Sequence, residues 1–466
     1  MLARRLALQR PNAVQLRRLT PGRGLSRDEL RWKEQTRPDL QPKYTNFPKP
    51  SRASARTELS SMSGDGAKSF FTSAPRATKR AVDFTTSAAS QESQEADYIP
   101  SLIARSRAAQ EQIADYTQEQ VDDLITALVW SVAEESTAKR IAQHTIDETR
   151  LGNYDGKFLK IHRKVRAALM DIIDDVSVGV IEELPERAIV KISKPVGVIG
   201  ALAPSTNPEA TPVIKAINSI KGRNSIVIAP HPRGAGTNTM IVDLMREACV
   251  KMGAPADLII GIEQPSVERT VGLMKACDRV LATGGAPMVT AAYSSGTPAL
   301  GVGAGNCVTT VCASADLEEA ADKIVLSKTL DLAASCSADN SVLLFDSIAD
   351  EMLAKLQARG GYVLSDGEKA QLQATLWVDG HLNAKVVAQD APTIASMAGF
   401  PIPEGTRFLI VPEVGYGKEY PFSGEKMSVT MAMCAHRPSE ARTHVRDETG
   451  AHTVGRGVGT SALPDG

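Results

Sequence analysis

The chain has 466 residues, 42% of them apolar and 23% charged, with a formal net charge of −1. That length is enough for two or three domains with full cores. The balanced charge and the lack of a basic face argue against nucleic acid as a partner, and without a run of 18 apolar residues no membrane span is expected.

In chain order, residues 1–27 carry seven Arg and no acid, among Leu, Ala and Gln. That composition suits a mitochondrial transit peptide, which would place the protein in the matrix. The alternative is an over-long start, with Met62 or a later codon as the beginning and the cytoplasm as the location. Residues 28–95 are polar, rich in Ser, Thr, Arg and Pro, and lack hydrophobic periodicity. Residues 1–95 are therefore expected to be a disordered or targeting-like extension.

From Leu102 the pattern is helical. LIARSRAAQEQIADY places apolar residues at helical spacing, and Thr117 with Gln120 forms a capping-box start for QEQVDDLITALVWSVA. A further helix is expected through KFLKIHRKVRAALMDIIDD. SVGVIEEL, RAIVKIS and VGVIGALAP then read as strands. After them TPVIKAINSIKG, NTMIVDLMREACVKMG and SVERTVGLMKAC read as helices, alternating with the strands NSIVIAP, DLIIGI and DRVLATG. This is the rhythm of a parallel sheet covered on both faces. A second α/β series begins near Asn306, with strands at CVTTVCA and SVLLF and a helix from Asp316 to about Ser327. The fold class is α/β, in two domains with a cleft between them. From Cys434 to Gly466 the aliphatic residues larger than Ala are Val445, Val454, Val458 and Leu463, too few for a core, so this stretch is not expected to pack.

Six cysteines fall at irregular spacings without a C-x-x-C, which argues against a disulfide framework, against a metal site and for a reducing compartment. Cys249, Cys277, Cys307 and Cys312 lie in or beside expected elements and are read as small buried hydrophobes. Cys336, in DLAASCSADN, sits in a stretch too small and polar for a core strand. It is either a buried filler or an exposed thiol able to act as a nucleophile.

Three other segments have chemical potential. GVGAGN (Gly301 to Asn306) resembles a dinucleotide fingerprint, but a strand follows it directly, so a tight inter-domain turn is the better reading. LATGGAPMV ends a strand at Thr283, Gly284 and Gly285 and opens a helix. The glycines admit a close ligand, or serve only the turn. In LAPSTNPEATP, Asn207 lies just beyond the carboxyl end of a strand, where its amide can donate to a developing oxyanion. Turn chemistry at Asn207-Pro208 explains it equally well. His231, in IAPHPRG, reads as a structural or capping residue.

Taken in order, PSTNPEATP, APHPRG, ATGGAPMV, AAYSSGTPALGVGAGN, the Cys336 loop and FSGEKMS resemble the aldehyde dehydrogenase superfamily, and within it the coenzyme A-acylating branch. The likeness spans about residues 100 to 432. It leans toward the acylating sulfoacetaldehyde dehydrogenases, with the acylating succinate-semialdehyde and acetaldehyde enzymes as alternatives. It implies a nucleotide-binding domain over 96–305 and a catalytic domain over 306–432, with 433–466 as a divergent tail. It also implies that Cys336 is the nucleophile, that Asn207 is the oxyanion-hole amide and that Glu425 holds the nicotinamide ribose. Thr283, Gly284 and Gly285 would lie beside the cofactor's phosphates and nicotinamide, and Pro230, His231 and Arg233 where the adenosine ribose is held. The substrates implied are a small anionic aldehyde and coenzyme A.

Two departures sharpen the expectation. Hydrolytic members place a water-activating glutamate where this chain has Gly301, which favours an acyl-CoA product. The acid that would bind adenosine hydroxyls is missing from APHPRG, and Arg233 near that point tilts the cofactor toward NADP, with NAD the alternative. Family members are homo-oligomers and continue past the EKMS motif, whereas this chain diverges after about Ala432. A truncated, inactive relative that at most binds nucleotide, or an acyl-phosphate reductase, are the other readings.

Overall fold

The computed structural model describes residues 84–436. It opens on helices α1 (Phe84–Gln112), α2 (Gln118–Ala133), α3 (Glu135–Thr149) and α4 (Tyr154–Leu159). The last continues through a π-helical turn, Lys160–Val165, into α5 (Arg166–Ile172). Helix α1 begins inside the stretch expected to be disordered, so residues 84–95 are helical. The rest of it, including the Arg-rich start, lies outside the described residues. At α2 the Thr117 hydroxyl accepts from the Gln120 N–H while the Gln120 side chain accepts from the Thr117 N–H, the reciprocal box the sequence predicts. Val121, Leu124, Ile125, Leu128 and Val132 recur at three- and four-residue steps and are buried, which fixes the inward face of α2.

An antiparallel hairpin, β1 (Gly179–Leu184) and β2 (Ile189–Ser193), follows and stands exposed. Then comes a five-stranded parallel sheet of β3 (Val198–Ala203), β4 (Ser225–Pro230), β5 (Ile259–Gly261), β6 (Arg279–Thr283) and β7 (Ala299–Val302), in the order β5-β4-β3-β6-β7. Helices α6 (Thr211–Lys221), α7 (Ala235–Lys251), α8 (Val267–Ala276) and α9 (Ala286–Tyr293) connect its strands. β3 and β4 are buried at every position, the mark of a sheet covered on both sides. The chain runs outward from β3 to β4 and β5, then returns to lay β6 on the other side of β3. That reversal opens a crevice at the carboxyl ends of β3 and β6, where ligands of open α/β sheets bind.

GVGAGN leads from β7 straight into β8 (Cys307–Val311), so it joins two sheets and starts no helix. The second sheet is also five-stranded and parallel. It contains β8, β9 (Asp339–Phe345), β10 (Gly361–Val363), β13 (Phe408–Pro412) and β14 (Thr430–His436), in the order β10-β13-β14-β9-β8. The intervening elements are α10 (Leu317–Thr329), α11 (Asp346–Ala358), α12 (Asp366–Leu376), α13 (Ala391–Ala398) and a small antiparallel ladder, β11 (Trp377–Val378) with β12 (His381–Leu382). Each sheet has its own apolar core. Among the described residues no helix is long and apolar enough to cross a membrane.

The expectation that packing ends before Cys434 is overturned at its first residues. β14 pairs with β9 from Ala432 to His436, and Cys434 is 1% exposed. The local composition is poor in aliphatics, but a strand flanked by β13 and β9 needs only a few small side chains to bury. Residues 437–466 lie outside the described residues. Cys434→Asp should lower stability in urea unfolding by about 3 kcal/mol or more, because it buries a charge between two strands. Unchanged stability would show that the strand does not extend that far.

Candidate active site

A cavity of about 490 Å³ lies at the carboxyl ends of β3, β4, β6 and β7, in the size range of small-molecule sites. Of the residues singled out from the sequence, Asn207, Pro230, His231, Thr283, Gly284, Gly285, Cys336 and Glu425 all line it. Arg233 is absent from the lining.

Asn207 comes from the loop between β3 and α6, and its backbone carbonyl accepts from Thr211 N at 3.1 Å. Its side chain is set by two neighbours: Lys160 Nζ donates to Oδ1 at 2.6 Å, and Nδ2 donates to Thr206 Oγ1 at 3.1 Å. The Cys336 thiol is exposed, on the loop between α10 and β9. Ser335 and Ser337 on either side pair their hydroxyls at 2.8 Å. The cysteines beside β8 differ from expectation. Cys307 and Cys312 are only half-buried, and Cys307 Sγ donates to the Cys336 carbonyl at 3.5 Å. β8 is an edge strand, which leaves its side chains less covered than those of a central strand. Cys249 and Cys277 are buried as expected.

Thr283, Gly284 and Gly285 form the turn from β6 to α9. Added Cβ atoms at the two glycines would meet nothing closer than Met288 at 3.4 Å and Pro287 at 3.8 Å. The turn is therefore open to a ligand, and the first turn of α9 presents the positive end of a helix to the cavity. The corresponding end of α7 is already occupied: Glu148 accepts from Gly236 N at 2.7 Å and from Thr237 N at 2.8 Å. His231 has the capping role expected of it, with Nδ1 accepting from Arg233 N at 3.1 Å. Partial burial, and then the Arg233 charge, push its imidazole below the ordinary value. The Arg233 guanidinium donates to the Thr149 carbonyl at 2.6 Å, which uses one of its five donors.

Gly301 faces away from the cavity. A Cβ there would lie 2.7 Å from Val289 Cγ1 and 2.8 Å from Tyr293 Cε2, on the α9 side of β7. The carboxylate in the lining is Glu425, held by the EKMS turn, which buried Lys426 ties together by donating to Asn340 O at 2.9 Å and Gly424 O at 2.8 Å. Burial pushes the Glu425 carboxyl up to about 7, against the opposing pull of the Gly305 N–H and of Lys426 and Lys328. Burial likewise pushes Lys328 down to about 7, with Asp339, Cys307 and Glu425 opposing, and its Nζ donates to the Asp339 carbonyl at 2.8 Å. Lys215, pushed to about 7 by burial, donates to Leu202 O at 2.6 Å and Leu281 O at 2.7 Å. It thereby ties the ends of β3 and β6 at the crevice.

These lysines, and also Lys157, Lys160 and Asp331, carry no local signal in the sequence that marks them as part of the site. Lys157 and Lys160 are three apart in KFLKIH, a spacing that only their burial distinguishes from a solvated helix face. Among the described residues no cluster of three or more His, Cys, Asp or Glu gathers to hold a metal.

The aldehyde dehydrogenase family model matches residues 56–371. A sulfoacetaldehyde dehydrogenase of Acholeplasma sp. is 42% identical over 347 residues, covering 73% of this chain and 72% of the relative. A succinate-semialdehyde dehydrogenase (acetylating) of Clostridium kluyveri is 37% identical over 363 residues, covering 77% and 80%. Among solved structures, an acetylating aldehyde dehydrogenase from Geobacillus thermoglucosidasius superposes with a TM-score of 0.71 at 36% identity, over 76% of this chain and 78% of that one. The chain belongs to the aldehyde dehydrogenase family, among its acylating members.

The Glu425 carboxyl gives a pH test. Its raised pKa means that the fold favours the protonated form. The cost of ionising it is absent below the unfolded value of 4.5, grows as pH rises toward 7 and is complete above that. Glu425→Gln should therefore gain about 1–3 kcal/mol over wild type in urea unfolding at pH 8 and nothing at pH 4. A difference that does not vary with pH would contradict the buried, protonated carboxyl.

Proposed function

We propose that the protein oxidises a small anionic aldehyde to its coenzyme A thioester, with Cys336 as the nucleophile. The observation that carries this reading is that Cys336, Asn207, Glu425 and the Thr283–Gly285 turn line one cavity at the crevice of a doubly wound sheet. The Cys336 thiolate attacks the aldehyde carbon, forming a C–S bond and an oxyanion. The Asn207 amide and the Cys336 backbone N–H donate to that oxygen.

The residues of the cavity fit a nicotinamide dinucleotide. The open glycine turn at the head of α9 suits its phosphates, and Glu425 suits a ribose hydroxyl, as acceptor when ionised and as donor when protonated. Bound there, the dinucleotide supplies the acceptor for the two electrons and hydrogen that leave the aldehyde carbon. Cys336 is then left carrying a thioester. Discharge of that thioester by water requires a base aimed at it. Gly301 provides no such base, and Glu425, pushed up to about 7 by burial, is ionised in only about half of the molecules near pH 7. The coenzyme A thiol ionises far more readily than water, so thiolysis is the favoured release.

Sulfoacetaldehyde is the preferred aldehyde, on the 42% identity to a sulfoacetaldehyde dehydrogenase. Succinate semialdehyde is the second reading, on the 37% identity to the Clostridium kluyveri enzyme. NADP is the preferred acceptor, because Arg233 borders His231 and retains four donors beyond the one given to Thr149.

Reduction of NADP with sulfoacetaldehyde should require coenzyme A in steady state, and Cys336→Ser should abolish it while leaving dinucleotide affinity unchanged. Asn207→Ala should lower kcat about 100- to 1000-fold. Equal turnover with and without coenzyme A, or activity in Cys336→Ser, would overturn the reading. Arg233→Gln should raise the KM for NADP about 10-fold or more and leave that for NAD unchanged. A parallel change in both would remove Arg233 from cofactor choice.

A further inference from the structure

We infer that Lys160 is a positioning residue for the reaction: its ammonium sets which way the Asn207 amide faces, and it fastens the Cys336 loop to the same point. The inference rests on the roles given above to Asn207 and Cys336.

An ammonium has three donors and no acceptor. In Lys160 all three are committed, to Asn207 Oδ1 at 2.6 Å, to the Ala334 carbonyl at 2.6 Å and to Asp331 Oδ2. Only an acceptor can face such a group, so the end of the amide toward Lys160 must be its oxygen. The NH2 end is thereby turned away, and after one N–H is given to Thr206 Oγ1 the other remains for a ligand in the cavity that Asn207 lines. Swapping the amide would set N–H groups against an ammonium, so Lys160 forbids the inactive orientation.

The neighbouring groups show a built device. Lys157 Nζ donates to the Thr206 carbonyl at 2.6 Å and pairs with Asp331 at 2.9 Å. Glu209, with no hydrogen-bond partner on either carboxylate oxygen, lies 3.6 Å from Lys157 and 3.9 Å from Lys160. All four side chains are at most 1% exposed. Asp331 begins a run of three non-glycine residues in the left-handed region, Asp331, Leu332 and Ala333, with φ of 51°, 52° and 60°. Such backbone persists only where its surroundings hold it. Asn153 N donates to Asp331 Oδ1 at 2.9 Å, and a Cβ on Gly156 would lie 2.4 Å from the Asp331 Cα, so the site is closed around this residue. Ala334, whose carbonyl Lys160 also holds, is two residues before Cys336. Lys160 itself is the first residue of the π-helical turn, a local widening frequent at functional sites.

A double-mutant cycle separates positioning from plain support of the fold. Lys160→Met should lower kcat about 10- to 100-fold, with the KM for the dinucleotide held within about threefold. In an Asn207→Ala background, where no amide remains to orient, the same substitution should cost no more than about threefold. Losses that multiply, or a Lys160→Met enzyme with wild-type kcat, would overturn the inference. If Lys160→Met fails to fold, Asp331→Asn keeps the shape of the site but removes the charge that anchors the ammonium, and the same cycle applies to it with the same outcomes. A crystal structure of whichever variant folds gives a readout independent of turnover: the Asn207 amide should leave its present position, and an unmoved amide would contradict the role. If the wild-type protein reduces no dinucleotide with either aldehyde, the proposed function falls, and the position of the amide in that crystal structure alone decides for or against Lys160.

Discussion

Four charged side chains meet in a place water does not reach, and the rest of the site is arranged around them. A carboxylate as buried as Asp331 is tolerable only beside cations with their donors well directed, and removal of one partner from such a group typically costs about 3–5 kcal/mol. Lys157 and Lys160 meet that need from the helical region that precedes the first sheet, while Glu209 joins from the loop after β3. Burial, and then the adjacent Lys157 charge, push the Lys160 ammonium below the ordinary lysine range, with Glu209 and Asp331 opposing. The cluster therefore binds three stretches of chain, far apart in sequence, to one another. The loop carrying Cys336 belongs to the second sheet, and this is how it is held against the crevice of the first.

Much of this architecture was legible in the sequence. The βα rhythm, the Thr117 cap and the sheet-to-sheet passage at GVGAGN depend on local pattern, which composition and spacing record directly. The ordered motifs also identified residues that meet in one cavity: Asn207, His231 and Thr283 end or follow strands at the same edge of the first sheet, while Cys336 and Glu425 come from loops that lead into β9 and β14 of the second. The features missed depend on contacts at long range. Nothing in KFLKIH tells that its lysines are buried, since their partners lie some 50 and 170 positions further on. Cys434 was misjudged because its stability comes from the strands on either side of it, not from its own neighbours in sequence. The resemblance places Gly301 at the glutamate position of hydrolytic members, yet a Cβ there would point toward Val289 and Tyr293 of α9.

The chemistry of release follows from what the cavity lacks as much as from what it contains. Among the described residues that line it, Glu425 is the one acid and His231 the one base. The first is held protonated by burial until about pH 7. The second commits Nδ1 to a backbone N–H. A thiol substrate needs no such base, because it ionises far more readily than water. On the proposed reaction, an exposed Cys336 is compatible with acyl transfer because the acyl group passes to a better nucleophile than water.

The most direct test is mass spectrometry of the protein mixed with sulfoacetaldehyde and NADP before any coenzyme A is added. One acyl adduct per chain is expected, on the peptide that contains Cys336, persistent in water and discharged on addition of coenzyme A. An adduct on another residue, or one lost to water as fast as to coenzyme A, would contradict it.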